Sequence, residues 1–224
     1  MSKVAEIFKA ALFVSAVFVS AGCATTPPQT GDVDDDGLVL MPNSLLDELY
    51  VAPNVSLATY KRVIVEPVEV TYREGWRKQH PDIRDREVDL LSKRLADSLH
   101  EKLVAELTRG GYVVAEAPDK DVIRLRPRLE NVDLAAPESN SDKHTFVRSE
   151  GEMTLRVSGF DGPSGALVAR AKDYEKDEDK QLLTRADRVT SFIAAEKIFD
   201  KWAQALRSAL DVANVSAGAR KPQQ

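Results

Sequence analysis

The sequence predicts an α+β fold: a two-layer sandwich with a mainly antiparallel four- to five-stranded sheet and two long helices on one face, in the order β-α-β-β-β-α. Two stretches repeat apolar residues at three- and four-residue steps, which marks amphipathic helices. Two others alternate apolar and polar residues strictly, which marks strands of a sheet with one wet face. Each layer has a single apolar side, so helices and sheet satisfy one another.

The first strand is expected over Arg62 to Val70, where Val63-Ile64-Val65 is β-branched. Pro67 has no N–H for a sheet ladder, so it marks an edge, a bulge or the end of the strand. A polar loop from Arg73 to Asp82 precedes the first helix. There Val88, Leu91, Leu95, Leu99, Leu103 and Leu107 form the stripe, Asp82 or Asp85 is placed to cap the start, and Gly110-Gly111 ends it. Tyr112-Val113-Val114 is a brief strand. Val122 to Val132 sets Ile123, Leu125 and Leu129 against Arg124, Arg126 and Arg128, and Phe146 to Phe160 alternates for longer still. Asp161-Gly162-Pro163-Ser164-Gly165 has the composition of a hairpin turn, returning through Ala166 to Lys172. The closing helix, about Arg185 to Val212, carries Val189, Phe192, Ile193, Phe199, Trp202, Leu206 and Leu210 on one side.

The amino terminus has a different character. Lys3 and Lys9 form a positive region, Ala10 to Ala21 an apolar core, and Val19-Ser20-Ala21-Gly22 leads to Cys23, the one cysteine in 224 residues. This is the order of a secretory signal, with a core too short for an ordinary spanning helix. Three readings fit: lipidation of Cys23, plain secretion with cleavage after Ala21, and a retained helical anchor. The preferred reading is lipidation, because small residues followed by cysteine resemble the lipobox of bacterial lipoproteins; Ser20 stands where that pattern prefers leucine. The resemblance implies a lipid-bearing Cys23 (palmitate among its acyl chains) as the new first residue. Several chains anchor firmly where one would not. Ala24, in place of aspartate, implies the outer membrane of a Gram-negative cell, the domain lying on its periplasmic face.

The expected division is a signal peptide over 1–22, lipidated Cys23 with a flexible tether over 23–59, one periplasmic domain over 60–212 and a disordered tail over 213–224. Thr25-Thr26-Pro27-Pro28 reads as solvated linker. Composition is that of a globular domain, 43% hydrophobic and 30% charged, with a formal net charge of −5. Losing Lys3, Lys9 and Glu6 with the signal would leave −6. A mildly acidic domain lacks the basic footprint of a nucleic-acid partner.

Few residues suggest chemistry. Asp32-Val33-Asp34-Asp35-Asp36-Gly37 matches the first half of an EF-hand loop, but Asn43 stands where the bidentate glutamate belongs, so a solvated acidic linker is expected. His80, His100 and His144 have no metal-ligand spacing. Neither a Gly-x-Ser-x-Gly elbow nor a phosphate-binding glycine loop occurs. The Arg124, Arg126 and Arg128 stripe is expected to pair across strands with Glu150 and Glu152, Trp202 to lie in the core, and Asp173 to Lys180 to form a solvated mixed-charge loop. The sequons at Asn54 and Asn214 are idle in a bacterial envelope.

Leu49-Tyr50-Val51-Ala52-Pro53-Asn54 with Tyr60 to Val68, the Leu103 to Tyr112 helix end, and Phe199-Asp200-Lys201-Trp202-Ala203 together resemble bacterial lipoproteins of the domain-of-unknown-function family numbered 3313. The resemblance covers about Leu45 to Asp211. It implies a lipoprotein signal, a small periplasmic α+β domain and no assigned activity. The expected function is a non-enzymatic envelope lipoprotein with an unknown envelope protein as partner and lipid at Cys23 as its membrane contact. No catalytic residue, metal or cofactor is expected. The alternative is a periplasmic enzyme or small-ligand binder with a dispersed site.

Overall fold

The structure is a computed structural model that describes residues 31–53, 55–134, 146–147, 149–178, 184–185 and 188–218. Strands β1 (Val39–Leu40) and β2 (Glu48–Val51) come first, followed by a 3-10 turn at Leu57–Thr59 and strands β3 (Arg62–Val65) and β4 (Glu69–Tyr72). A one-turn helix α1 (Trp76–Gln79) leads to α2 (Asp85–Arg109). Next come β5 (Val113–Val114), β6 (Val122–Leu134), β7 (Phe146–Val147), β8 (Ser149–Asp161), β9 (Leu167–Glu178) and β10 (Thr184–Arg185), and α3 (Arg188–Gly218) closes the described chain.

The α+β class is as expected, but the sheet is larger and mixed. Eight strands run in the order β1-β2-β9-β8-β6-β3-β5, and β4 pairs β6 further along the same side as β3. β1, β2, β9, β8 and β6 form antiparallel pairs. β3 and β4 pair β6 in parallel, and β5 pairs β3 in parallel. The parallel pairs have a plain cause: α2 carries the chain from β4 back along the sheet, and a helical crossover delivers the next strand in the same direction. β7 and β10 form a separate two-stranded ribbon.

The added strands at the far edge correct the domain boundary. Residues expected as tether up to 59 hold β1, β2 and a bridge between Val33 and Val39. β2 zips onto β9 with Tyr50 opposite Arg170 and Val51 opposite Ala169. Leu46, Leu49, Val51 and Leu57 join the main core.

Pro67 divides the expected first strand into β3 and β4, at the residue that cannot donate to the ladder. α2 starts at Asp85 from an extended Arg84, whose N–H is accepted by the Glu87 carboxylate at 3.2 Å; neither Asp82 nor Asp85 is the capping residue. It ends at the diglycine as expected. Gly111 takes a φ of 88°, in the left-handed region, and Tyr112 N–H reaches back to Leu107 O. Gly110 leaves room for Arg207 of α3, because a Cβ there would sit 2.5 Å from that side chain's Cδ.

α2 packs on β3 and β4, α3 on β8 and β9, and the helices pack on each other. Leu95, Leu99, Leu103 and Leu107 are fully buried, as are Phe199 and Trp202. They meet Val63, Ile123, Leu129, Met153 and Leu155 from the sheet. The expected polar loop after β4 instead carries α1, with Trp76 buried, stacked on Tyr72 at 4.3 Å and donating from Nε1 to Leu134 O at 3.3 Å.

Candidate functional site

The helices cover one face of the sheet. Strand alternation puts Arg124, Arg126, Arg128, Arg156, Arg170 and Lys172 on the other. Six cations on one face would repel each other unless paired, and each has a carboxylate. Glu66, placed by the break at Pro67, accepts from Arg124 Nε at 3.1 Å and Arg126 Nε at 2.7 Å. Arg128 Nε meets Glu69 at 2.9 Å, Arg156 Nε meets Glu130 at 3.0 Å and Lys172 Nζ meets Glu48 at 2.7 Å. The expected partners of the arginine stripe were Glu150 and Glu152. The parallel neighbours β3 and β4 bring Glu66 and Glu69 alongside instead, while Glu152 accepts from Tyr174 Oη at 3.0 Å. Partial burial works to raise the Glu66 carboxyl, but hydrogen bonds from Arg126 and Arg124 outweigh it and hold it below the usual carboxylate range. Both guanidiniums lie over the Phe160 ring, Arg126 at 4.8 Å and Arg124 at 5.9 Å from its centre.

Arg170 explains the acidic run Asp32 to Asp36. Its Nη1 is 2.8 Å from Asp34 Oδ2, and its Nη2 bonds Asp36 Oδ2. Asp34 Oδ1 accepts the N–H groups of Asp36 at 3.0 Å and Leu38 at 2.8 Å. The run is therefore a folded loop docked on β9, which corrects the expectation of a solvated linker. Among the described residues no cluster of three or more His, Cys, Asp or Glu is set to hold a metal.

The outer junction of α2 and α3 forms an open furrow of about 680 Å³. Lys102 Nζ sits 3.0 Å from Glu196 and 2.6 Å from Asp200, Ser98 Oγ bonds Glu196, and Lys93 pairs with Asp97 at 2.6 Å. Burial works to lower the Lys102 ammonium, but bonds to Asp200 and Glu196 prevail and raise it, so it stays charged. The Arg94 guanidinium lies 3.7 Å from the Phe192 ring centre.

The two described histidines, His80 and His100, serve the packing and do not converge. His80 Nδ1 donates to Trp76 O at 2.8 Å, with the two rings 4.5 Å apart. His100 Nε2 donates to Val65 O at 3.1 Å, because a carbonyl only accepts. His144 and Cys23 lie outside the described residues, as does Asn54.

Asp173 is the polar residue that sequence reasoning missed. The strand expected to return through Lys172 continues as β9 to Glu178, into the segment expected as a solvated loop, and Asp173 is only 4% exposed. Trp202 Nε1 donates to its Oδ2 at 2.8 Å, and Asp47 N–H to its Oδ1 at 2.8 Å. Asp47 replies with a carboxylate oxygen 2.9 Å from Tyr174 N. Burial raises the Asp173 carboxyl above its ordinary value, ahead of the lowering by these bonds. A signal was present: Ala169, Ala171 and Asp173 share one strand face, and a core tryptophan needs an acceptor for its N–H.

The family model "Protein of unknown function (DUF3313)" matches residues 40–206, from β1 to just past the middle of α3. The chain belongs to this family. No curated protein matches it. Among solved structures it is similar to a minor lipoprotein from Acinetobacter baumannii, at 15% identity and a TM-score of 0.38 over 71% of this chain and 95% of that one. The PelC dodecamer from Paraburkholderia phytofirmans is similar at 15% identity and a TM-score of 0.36, over 71% and 96%. These likenesses are too low to extend to a shared activity.

Proposed function

We propose that this DUF3313 protein is a non-enzymatic lipoprotein, anchored on the periplasmic face of the outer membrane, that serves as a binding or assembly accessory to another envelope component. The observation that carries the reading is Cys23, the chain's one cysteine, placed after a short apolar segment and small residues. The described domain supports the non-enzymatic part. Its charged groups are engaged with one another as ion pairs over a sheet face and a helix furrow, as a structural role requires. The alternative, a small-ligand binder, is favoured by the furrow, where Arg94 offers a guanidinium over an aromatic ring.

Metabolic labelling with a fatty-acid analogue, followed by membrane fractionation of wild type and Cys23→Ser, tests the proposal. Label on the wild type alone, in the outer-membrane fraction, is the expected result. An unlabelled, freely soluble wild type would remove the anchor and with it the accessory role at the membrane.

A further inference from the structure

Eight peptide steps separate Cys23 from Gly31, where the described fold begins. A chain of that length reaches at most about 29 Å even when fully extended. The fold takes up the chain at once: Asp32 O accepts Leu40 N–H at 2.8 Å, and Val33 bridges Val39. The point of entry is therefore the outer edge of the sheet, beyond β1.

That edge carries large apolar side chains that the described residues leave exposed. Val33 is 62% exposed, Met41 36% and Leu45 70%. Val33 lies across from Val39, and Met41 lies two residues beyond Val39, so register puts Val33 and Met41 on the same side of the ladder. Met41 N–H donates to Leu49 O at 2.7 Å, which keeps it in the ladder. Leu45 stands on the turn into β2, beside buried Leu46.

We infer that this edge rests on the bilayer surface that holds the Cys23 lipid, with Val33, Met41 and Leu45 in the headgroup layer. The inference rests on the lipid-anchored reading above. A short leash and an apolar edge at its attachment point act together: the lipid keeps the edge near the surface, and burial of the three side chains holds it there. The lipid chemistry that fits is zwitterionic. Arg170 pairs with Asp34 and Asp36 but its single charge offsets only one of the two, so the acidic run sets negative charge beside the contact, which disfavours anionic headgroups. The sheet then stands on edge, and six strand spacings place β5 about 29 Å further from the membrane.

The test uses the mature lipidated chain, in which the acylated Cys23 sulfur leaves an introduced cysteine as the only reactive thiol. Leu45→Cys and, at the opposite edge, Val113→Cys are labelled with an environment-sensitive fluorophore. They are reconstituted in phosphatidylethanolamine–phosphatidylcholine vesicles containing a headgroup nitroxide lipid. Met41→Cys repeats the measurement if Leu45→Cys fails to fold. Contact predicts quenching of at least about 2-fold at position 45 and little at position 113, since the headgroup layer is only ~5–7 Å deep. Equal signals at the two positions would overturn the inference. So would a position-45 probe that is shielded yet unquenched, which would assign the edge to a second copy or another protein. Mass spectrometry of the same sample separates the two levels. With Cys23 lipidated and position 45 unquenched, this inference alone falls; with Cys23 unmodified, the lipid-anchored reading falls and takes it along.

Discussion

Replacing Asp173 with alanine is the most revealing change in the core. Its two carboxylate oxygens accept the Trp202 indole N–H and the Asp47 backbone N–H, each at 2.8 Å. The substitution leaves both donors without an acceptor in a site only 4% exposed. An unsatisfied buried donor costs about 1–3 kcal/mol, so the expected loss is about 2–6 kcal/mol. Urea unfolding of the mature chain reads this as a lower midpoint at unchanged slope. Trp202→Phe removes one of the two donors, so a double-mutant cycle should show coupling beyond the ~0.5 kcal/mol expected of independent sites. The pH dependence carries a sign. Burial raises the folded carboxyl above its unfolded value, so the folded state holds its proton more tightly. Stability from this group therefore grows as pH falls through the raised folded value, and it is lost as pH rises through the same window. The gap between wild type and Asp173→Ala should accordingly be wider near pH 4 than at neutrality. A loss below about 1 kcal/mol, additive behaviour with Trp202→Phe, or a gap that narrows in acid would each refute the reasoning.

Glu66 has the opposite sign. Its folded carboxyl lies low, so its contribution is present above the unfolded value and lost as pH falls through the folded one. Glu66→Gln should cost only about 0.5–1 kcal/mol, because its arginine partners are partly solvated, and most of that should vanish in high salt. Leu103→Ala, at a fully buried position of α2, should cost about 2–5 kcal/mol in thermal or urea unfolding.

The long elements were legible because their period repeats. The leucines of α2, the Phe199–Leu210 stripe of α3 and the alternation of β6 and β8 each offer many copies of one signal. Single residues with an unusual backbone requirement were legible too, as Pro67 and Gly111 show. The edge strands β1 and β2 were not, since two to four residues show too little of a period, whereas Val113–Val114 was legible as a brief strand because it follows the diglycine that ends α2. Trp76 was passed over because its burial comes from Tyr72 and Leu134 O, contacts that only the folded chain brings together. The partners of the arginine stripe depended on β3 and β4 lying parallel to β6, a register set by the α2 crossover. Asp173 was hidden for a related reason: a charged residue in a mixed-charge run looks solvated until Trp202 and Asp47 close over it.

The most direct test of the central claim is mass spectrometry of the amino-terminal peptide of the protein recovered from native membranes. Lipid anchoring at Cys23 predicts a chain that begins at that residue and carries the added mass of three acyl chains with their glyceryl link. A chain that begins at unmodified Gly22, or one that retains Met1, would contradict it.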